Sequence, residues 1–238
     1  MAGTVASCLR KKEKEKTEIS EISDYLFLSG CSGLTTDRLE ALGITAAVCC
    51  IKGITHKFPK TIEYLYIPVE DEDTEDLRPY MASVFALIDK QRRRGGKARS
   101  GDENTPANLD ESTGSGSNGR SSETSSDKPG KTLVYCGLGI SRSATFVISY
   151  LMVYEHMTLI DAYKYVQKRR PIICPNVGFF RQMIEVEMEL FGKQTVNIIK
   201  PVDNVEVPDV VWDEVYDEVM KRLHPNQVSQ AEHKKHQS

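Results

Sequence analysis

The sequence contains no long apolar run and no strong excess of either charge, and both absences exclude whole classes of protein. No stretch of the 238 residues approaches the ~20 consecutive apolar residues of a membrane-spanning helix. The 31 lysine and arginine residues are balanced by 34 acidic residues, whereas nucleic-acid-binding domains usually carry a basic excess. We therefore expect neither a membrane span nor a nucleic-acid partner.

Cysteine motifs that would indicate a disulfide scaffold or a zinc site are also missing. The six cysteines form no Cys-x2-Cys pair, and the five histidines show no ligand spacing. Cys49 and Cys50 are adjacent in a strand-like run, so their side chains point to opposite faces. This pattern favours a reducing compartment, and we expect the cytoplasm, with the nucleus as a second location.

Composition predicts three regions. Residues 1–17 are dominated by lysine and glutamate and are predicted to be a disordered tail. An ordered domain is predicted over 18–193, interrupted at 95–130 by a Gly- and Ser-rich insertion. Because this insertion has almost no apolar residues to bury, we expect it to be flexible. Residues 194–238 form an extension with one amphipathic helix, predicted at 209–223.

Apolar periodicity within the domain predicts strands that alternate with helices. Residues 44–51 are almost entirely apolar, as in a strand buried on both faces. The alternation is typical of an α/β domain with a central, mainly parallel sheet of about five strands flanked by helices. Two short strands are predicted within 19–29, further strands at 44–51, 64–69 and 132–135, and helices at 37–42, 76–91, 143–155, 159–169 and 177–191.

The chemistry is concentrated where the last predicted strand of the domain meets a helix. That strand delivers Cys136 to a loop with two glycines, and an amphipathic helix follows at once. In this geometry successive backbone N–H groups turn inward as an anion-binding nest, and the positive helix end favours a thiolate. Arg142 can present its planar guanidinium to two phosphate oxygens. We name this segment the phosphate loop (residues 136–142).

The spacing Cys136-x5-Arg142-Ser143 resembles the signature of the cysteine-dependent protein tyrosine phosphatase superfamily. A bare Cys-x5-Arg recurs by chance, so the surrounding strand, Gly-containing loop and helix carry the specificity. The resemblance is closest to the atypical dual-specificity phosphatases and covers about residues 19–192, apart from the insertion. It also rests on Ser141–Ala144, Tyr150–Met152, Tyr25–Gly30, Ile67–Asp71, Arg170–Pro171 and Pro175–Phe179.

The resemblance implies a role for each residue of the loop. Cys136 is the expected nucleophile, and Ser143 is expected to hydrogen-bond the thiolate as it leaves. Phosphate is expected to bind to Arg142 and to the loop positions Gly137, Leu138, Gly139, Ile140 and Ser141.

The expected general acid lies on the acidic segment that follows Ile67–Val69, which we name the acid loop (residues 70–76). Composition alone leaves Asp71, Asp73 and Asp76 open. The match of Ile67–Asp71 to the family's pattern favours Asp71.

Two further positions are expected to support the loop. Asn176 matches an asparagine that braces the phosphate loop in the family. Tyr135 stands where the family usually has histidine. Because a neutral phenol cannot add positive charge beside a thiolate, we expect slower catalysis than in the usual pattern.

The resemblance implies a protein phosphatase that hydrolyses phosphotyrosine and phosphoserine/threonine through a cysteinyl-phosphate intermediate, without metal or cofactor. The expected partners are phosphorylated proteins, signalling kinases among them. The variable loop positions carry no charge, whereas lipid phosphatases of the superfamily usually place lysines there. Two alternatives stay open. One is an inactive phosphoprotein-binding module, and the other is a scaffold that acts through the insertion and the C-terminal helix.

Overall fold

A computed structural model of the chain describes residues 17–94, 129–202, 205–212 and 216. Among these residues, the main sheet has five strands: β1 (Ser20–Glu21), β2 (Leu26–Gly30), β3 (Ile44–Cys49), β4 (Glu63–Tyr66) and β5 (Lys131–Cys136). They lie in the order β1-β2-β5-β3-β4. β1 pairs antiparallel with β2, and the other neighbouring strands are parallel.

Five helices of the domain, as far as the structure describes it, surround this sheet, and polar caps set several of their ends. The helices are α1 (Thr36–Leu42), α2 (Arg78–Arg93), α3 (Arg142–Tyr154), α4 (Leu159–Arg169) and α5 (Val177–Phe191). Thr35, Thr158 and Asn176 precede α1, α4 and α5, and each side chain accepts a hydrogen bond from a backbone N–H of the first turn. α2 and α3 pack against β5, and α4 and α5 pack on α3.

β5 lies at the centre of the sheet, between β2 and β3, and positions the phosphate loop. Its residues from Leu133 to Cys136 are at most 1% exposed, because neighbouring strands and helices cover both sides. Cys136 pairs with Gly30 of β2 at the carboxyl end of the parallel strands. Ligands of open α/β sheets bind in the crevice at this edge.

The predicted fold class is confirmed, and the elements of the domain lie close to their predicted bounds. β4 ends at Tyr66 and not at Val69, because Pro68 has no backbone N–H to donate to a neighbouring strand. A two-stranded antiparallel hairpin, β6 (Ile198–Val202) and β7 (Val205–Pro208), was not predicted. Its two prolines, Pro201 and Pro208, are residues that argue against a strand when only the sequence is considered.

Several predictions fall on parts of the chain outside the described residues. These are the tail 1–17 except Thr17, and the insertion except Pro129 and Gly130. Of the predicted helix 209–223, residues 209–212 and 216 are helical and the remainder is not described. Within the described ranges, no helix is long and apolar enough to span a membrane.

Candidate active site

The phosphate loop is held open by hydrogen bonds on its outer side. Four consecutive carbonyl oxygens, those of residues 137–140, each accept a hydrogen bond from a group outside the loop. Because a trans peptide points its N–H and C=O in opposite directions, outward carbonyls leave the N–H groups facing the centre. The donors are Cys31 N and Sγ to Gly137 O (3.2 and 3.4 Å), Arg170 Nη2 to Leu138 O (2.9 Å), Arg170 Nε to Gly139 O (2.7 Å) and Cys174 N to Ile140 O (2.9 Å).

The sulfur of Cys136 lies inside this cradle and receives two hydrogen bonds. The Gly139 N–H donates to Sγ at 3.3 Å, and the Ser143 hydroxyl donates at 3.2 Å. Both side chains of the Cys136–Ser143 pair are buried. By contrast, burial raises the pKa of the nearby Cys50 thiol well above its usual range, and repulsion from Cys136 adds to this effect. The two donors at Cys136 Sγ would stabilise negative charge on that sulfur.

Glycine is required at position 139 for two reasons. Its φ is +69°, in the left-handed region that L side chains rarely adopt. A Cβ atom there would also lie 2.3 Å from the Ser29 carbonyl carbon and 2.6 Å from the Gly30 nitrogen. The close approach of the phosphate loop to β2 therefore depends on Gly139.

Arg142 begins α3 and presents an unsatisfied donor beside the loop. Its Nη1 donates to the Val69 carbonyl at 3.2 Å. Its Nε is buried and has no hydrogen-bond partner among the described residues. Asp71 Oδ2 lies 3.7 Å from Nε, an ion-pair distance. A buried cationic donor without a hydrogen bond is costly, and a bound anion would satisfy it.

Asp71 is held over the phosphate loop by two residues. The Ser141 hydroxyl donates to Asp71 Oδ1 at 2.6 Å, and the Asn176 amide donates to the same oxygen at 3.1 Å. Asn176 also links back to the loop, because its backbone N–H donates to Ser141 Oγ at 3.2 Å. Oδ1 is thus occupied, and Oδ2 is the oxygen on the side of Arg142.

The other two acid candidates, Asp73 and Asp76, make different contacts. Asp76 Oδ1 accepts from the Arg78 backbone N–H at the start of α2 (3.0 Å). Asp73 has an exposed side chain, and its backbone carbonyl packs against Gly178 of α5. The geometry therefore favours Asp71 of the three.

Tyr135 is fully buried on β5, within an aromatic cluster beside the loop. Its hydroxyl lies 3.0 Å from His56 Nδ1, and its ring packs edge-on against His56 and Phe58. Burial raises the pKa of Tyr135, so its side chain stays a neutral phenol. Adjacent strand residues point to opposite faces, so the Tyr135 ring is directed away from the Cys136 side chain.

Sequence reasoning assigned no role to Arg170, Cys31 or His56, although all three contact the loop or the residue before it. For Arg170 the sequence did contain an indication, since Arg170–Pro171 is one of the segments that resemble the family. For Cys31 and His56 the sequence contained no such indication, because their positions depend on how distant segments fold together. Within the described residues, no group of three or more possible metal ligands was found.

A cavity of about 540 Å³ adjoins the acid loop. It lies between that loop, the start of α5 and the β6–β7 hairpin, and it is lined by Asp73, Val177, Lys200, Val205 and Glu206. The hairpin is tied to α5 by an ion pair between Arg181 and Glu206. The acid side of the site is therefore bordered by residues of the C-terminal extension.

Comparisons with known proteins agree with this geometry. Residues 122–189 match the dual specificity phosphatase catalytic domain. The chain is 32% identical over 213 residues to human dual specificity protein phosphatase 14, covering 87% of this chain and 85% of that protein. It is also 36% identical over 210 residues to an uncharacterized protein of Caenorhabditis elegans, covering 88% of this chain but spanning 59% of that protein's length.

Solved structures share the fold as well. The human tyrosine phosphatase-like serine/threonine/tyrosine-interacting protein superposes with a TM-score of 0.55 at 29% identity, covering 73% of this chain and 97% of that one. The fold and the relatives together define a protein phosphatase. The chain belongs to the dual-specificity protein phosphatases, and the predicted family is confirmed.

Proposed function

We propose that the chain hydrolyses phosphotyrosine and phosphoserine/threonine in proteins through a cysteinyl-phosphate intermediate on Cys136. The observation that carries the proposal is the convergence of three features on one small cradle. These are a sulfur that receives two hydrogen bonds, inward-facing loop amides, and the Nε of Arg142, which has no hydrogen-bond partner among the described residues. Together they offer a nucleophile and a fixed positive field for a phosphoryl group.

In the first step, the Cys136 thiolate attacks phosphorus in line with the leaving oxygen. The S–P bond forms as the P–O bond to the side chain of the substrate breaks. The loop amides and Arg142 stabilise the equatorial oxygens. Asp71 gives its proton to the leaving oxygen, and Oδ2 is the oxygen placed for this, because Oδ1 accepts from Ser141 and Asn176.

In the second step, water attacks phosphorus and the S–P bond breaks, which releases inorganic phosphate and restores the thiolate. Asp71, now ionised, takes a proton from the attacking water. Ser143 donates to Cys136 Sγ at 3.2 Å and stabilises the negative charge that returns to sulfur.

The surface of the loop supports protein substrates. None of the variable positions 137–141 carries a charge, and the Leu138 side chain on the phosphate loop is 49% exposed. An apolar side chain there suits the aromatic ring or methyl group of a phosphorylated side chain better than a polar inositol ring. This supports phosphoproteins, signalling kinases among them, as the substrate class.

A phosphoprotein-binding module without turnover is the second candidate. Tyr135 favours it, since it replaces the histidine that the family usually has. A solved relative at 29% identity is described as phosphatase-like and interacting. Cys136, Arg142 and Ser143, which would perform the bond-making steps, are nevertheless all present.

Phosphate release from a panel of purified substrates tests the proposal. The panel contains phosphotyrosine, phosphoserine and phosphothreonine peptides together with phosphoinositides, and Cys136→Ser is the control. We expect release from the peptides and none from the phosphoinositides. Release mainly from phosphoinositides would overturn the substrate class, and tight peptide binding without release would favour the binding module.

A further inference from the structure

Arg170 is a buried cation that the proposed mechanism does not use. It follows α4, and its side chain is 1% exposed. The guanidinium donates to the Gly139 carbonyl from Nε (2.7 Å) and to the Leu138 carbonyl from Nη2 (2.9 Å). Its Nη1 donates to the Glu18 carbonyl (3.0 Å) and the Ser20 hydroxyl (3.1 Å). One side chain thus joins the phosphate loop to the segment that enters the sheet.

Arg170 contacts the carbonyl groups of two successive peptide units of the loop, and one of these peptide units also contacts the nucleophile. The peptide that joins Leu138 to Gly139 accepts from Arg170 through its C=O. The N–H of the same peptide donates to Cys136 Sγ at 3.3 Å. Hydrogen bonds in such a chain polarise one another, and a charged donor strengthens the chain. A cation behind the loop therefore strengthens the hydrogen bond that the sulfur receives.

We propose that Arg170 is a positioning residue for the reaction. It fixes the Leu138 and Gly139 carbonyls outward, and thereby aims the Gly139 N–H at the Cys136 thiolate and prepares the cradle for phosphate. The proposal rests on the proposed role of Cys136 as nucleophile. A planar fork is required, because one ammonium group cannot reach both carbonyls and the Glu18–Ser20 segment together.

Two variants and a matched control test this role. Arg170→Met removes the cation, and Arg170→Lys keeps a charge without the fork. Arg169→Met removes the same charge from the adjacent residue, which is exposed and whose guanidinium stacks 3.5 Å from the Tyr165 ring centroid. Two quantities are measured: the rate of iodoacetate alkylation of Cys136 against pH, located by mass spectrometry, and the Kd of inorganic phosphate.

We expect Arg170→Met to lower alkylation at the acidic end of the profile about tenfold, a shift of about one pH unit, and to weaken phosphate binding about tenfold. Arg170→Lys should fall between that variant and the unmodified protein, and Arg169→Met should coincide with the unmodified protein. A role in packing alone would lower Tm but leave both readouts of the folded protein unchanged. That result would overturn the proposal.

A measurement on the unmodified protein covers the case in which neither Arg170 variant folds. In NMR spectra recorded against pH, the Arg170 Nη2–H and Gly139 N–H resonances should shift together with the ionisation of Cys136. An Arg170 resonance that does not follow this ionisation would contradict the relay. None of these readouts needs turnover, so a failure of this inference is distinguishable from a failure of the proposed function, which phosphate release measures.

Discussion

At the scale of single residues, the proposed mechanism depends on the hydrogen bonds that each oxygen of the proposed acid, Asp71, makes. Asp71 Oδ1 accepts from Ser141 and Asn176, which leaves Oδ2 on the side of Arg142, where the proposed mechanism places the leaving oxygen. The carboxyl group is therefore oriented before substrate arrives. Such orientation is what a general acid requires, since the proton must lie within hydrogen-bond reach of the leaving oxygen.

The first prediction concerns this acid. Asp71→Asn should lower kcat by about 100-fold for alkyl phosphates and other substrates with poor leaving groups, and much less for aryl phosphates with good ones. The dependence of kcat on the pKa of the leaving group measures this. Asp73→Asn and Asp76→Asn are the matched controls, and if either shows this pattern instead, the acid has been assigned to the wrong residue.

The second prediction concerns Tyr135. Tyr135→His should shift the alkylation profile of Cys136 towards lower pH and raise activity at the acidic end, because imidazolium adds positive charge near the loop. Tyr135→Phe isolates the loss of the contact with His56. The folded state of each variant is checked by its Tm. Coincident profiles for Tyr135→His and the unmodified protein would show that this position does not influence the thiol.

Residues of the phosphate loop were predictable because their geometry is local. Cys136, Arg142 and Ser143 lie within eight residues of one another, and a strand–loop–helix unit brings them together without reference to other segments. The contact between Tyr135 and His56 joins residues 79 positions apart, and that between Arg170 and Ser20 joins residues 150 apart. No local spacing in the sequence indicates pairings of that kind.

At the scale of elements, α5 holds the acid loop beside the phosphate loop. Gln182 on α5 accepts from the Leu77 backbone N–H (2.9 Å) and donates to the Glu75 carbonyl (2.7 Å). Gly178 packs directly against the backbone of Asp73. The acid loop is thus held against α5 by several contacts. The N-cap residue of this helix, Asn176, contacts Asp71 itself.

The third prediction follows from this packing. A Cβ atom at position 178 would lie 1.9 Å from the Asp73 carbonyl oxygen, so Gly178→Ala must displace the acid loop. We expect kcat for poor leaving groups to fall by roughly 10- to 100-fold, since small misplacements of a catalytic group have effects of this size. Alkylation of Cys136 should stay unchanged. An equal loss for good and poor leaving groups would show that the helix does not position the acid.

The helices and parallel strands of the domain could be predicted because their apolar periodicity is strong. α4 and α5 have the predicted bounds. The β6–β7 hairpin could not be predicted, since its strands are short, contain prolines and gain stability by packing on α5. Its place beside the acid loop follows only from the tertiary structure.

At the scale of the whole molecule, the two ends of the insertion meet. The Gly130 N–H donates to the Gln91 carbonyl at 2.9 Å, and the Arg94 N–H donates to the same oxygen at 3.2 Å. The chain therefore leaves α2 and re-enters β5 at one point, and a few residues suffice to close the gap.

The fourth prediction is that the insertion is dispensable for the fold and for catalysis. Replacing residues 97–127 with a short Gly/Ser linker should leave Tm and aryl-phosphate turnover nearly unchanged, because closure entropy changes only slowly with loop length. Thermal unfolding and steady-state kinetics measure both. A large fall in Tm would show that the segment packs into the domain. If the shortened protein lost binding to a protein partner while its phosphatase turnover stayed unchanged, the scaffold alternative would be favoured.

The central claim is that phosphate passes through a covalent bond to Cys136, and rapid-quench trapping tests it most directly. The protein is mixed with a radiolabelled phosphotyrosine peptide, quenched in acid and digested, and the label is located by mass spectrometry. We predict a labelled phosphocysteine at position 136 that appears before free phosphate. Cys136→Ser should form no such adduct and should lose at least about 10⁴-fold in turnover. Release of phosphate at an undiminished rate by Cys136→Ser, or label on another residue, would contradict the account.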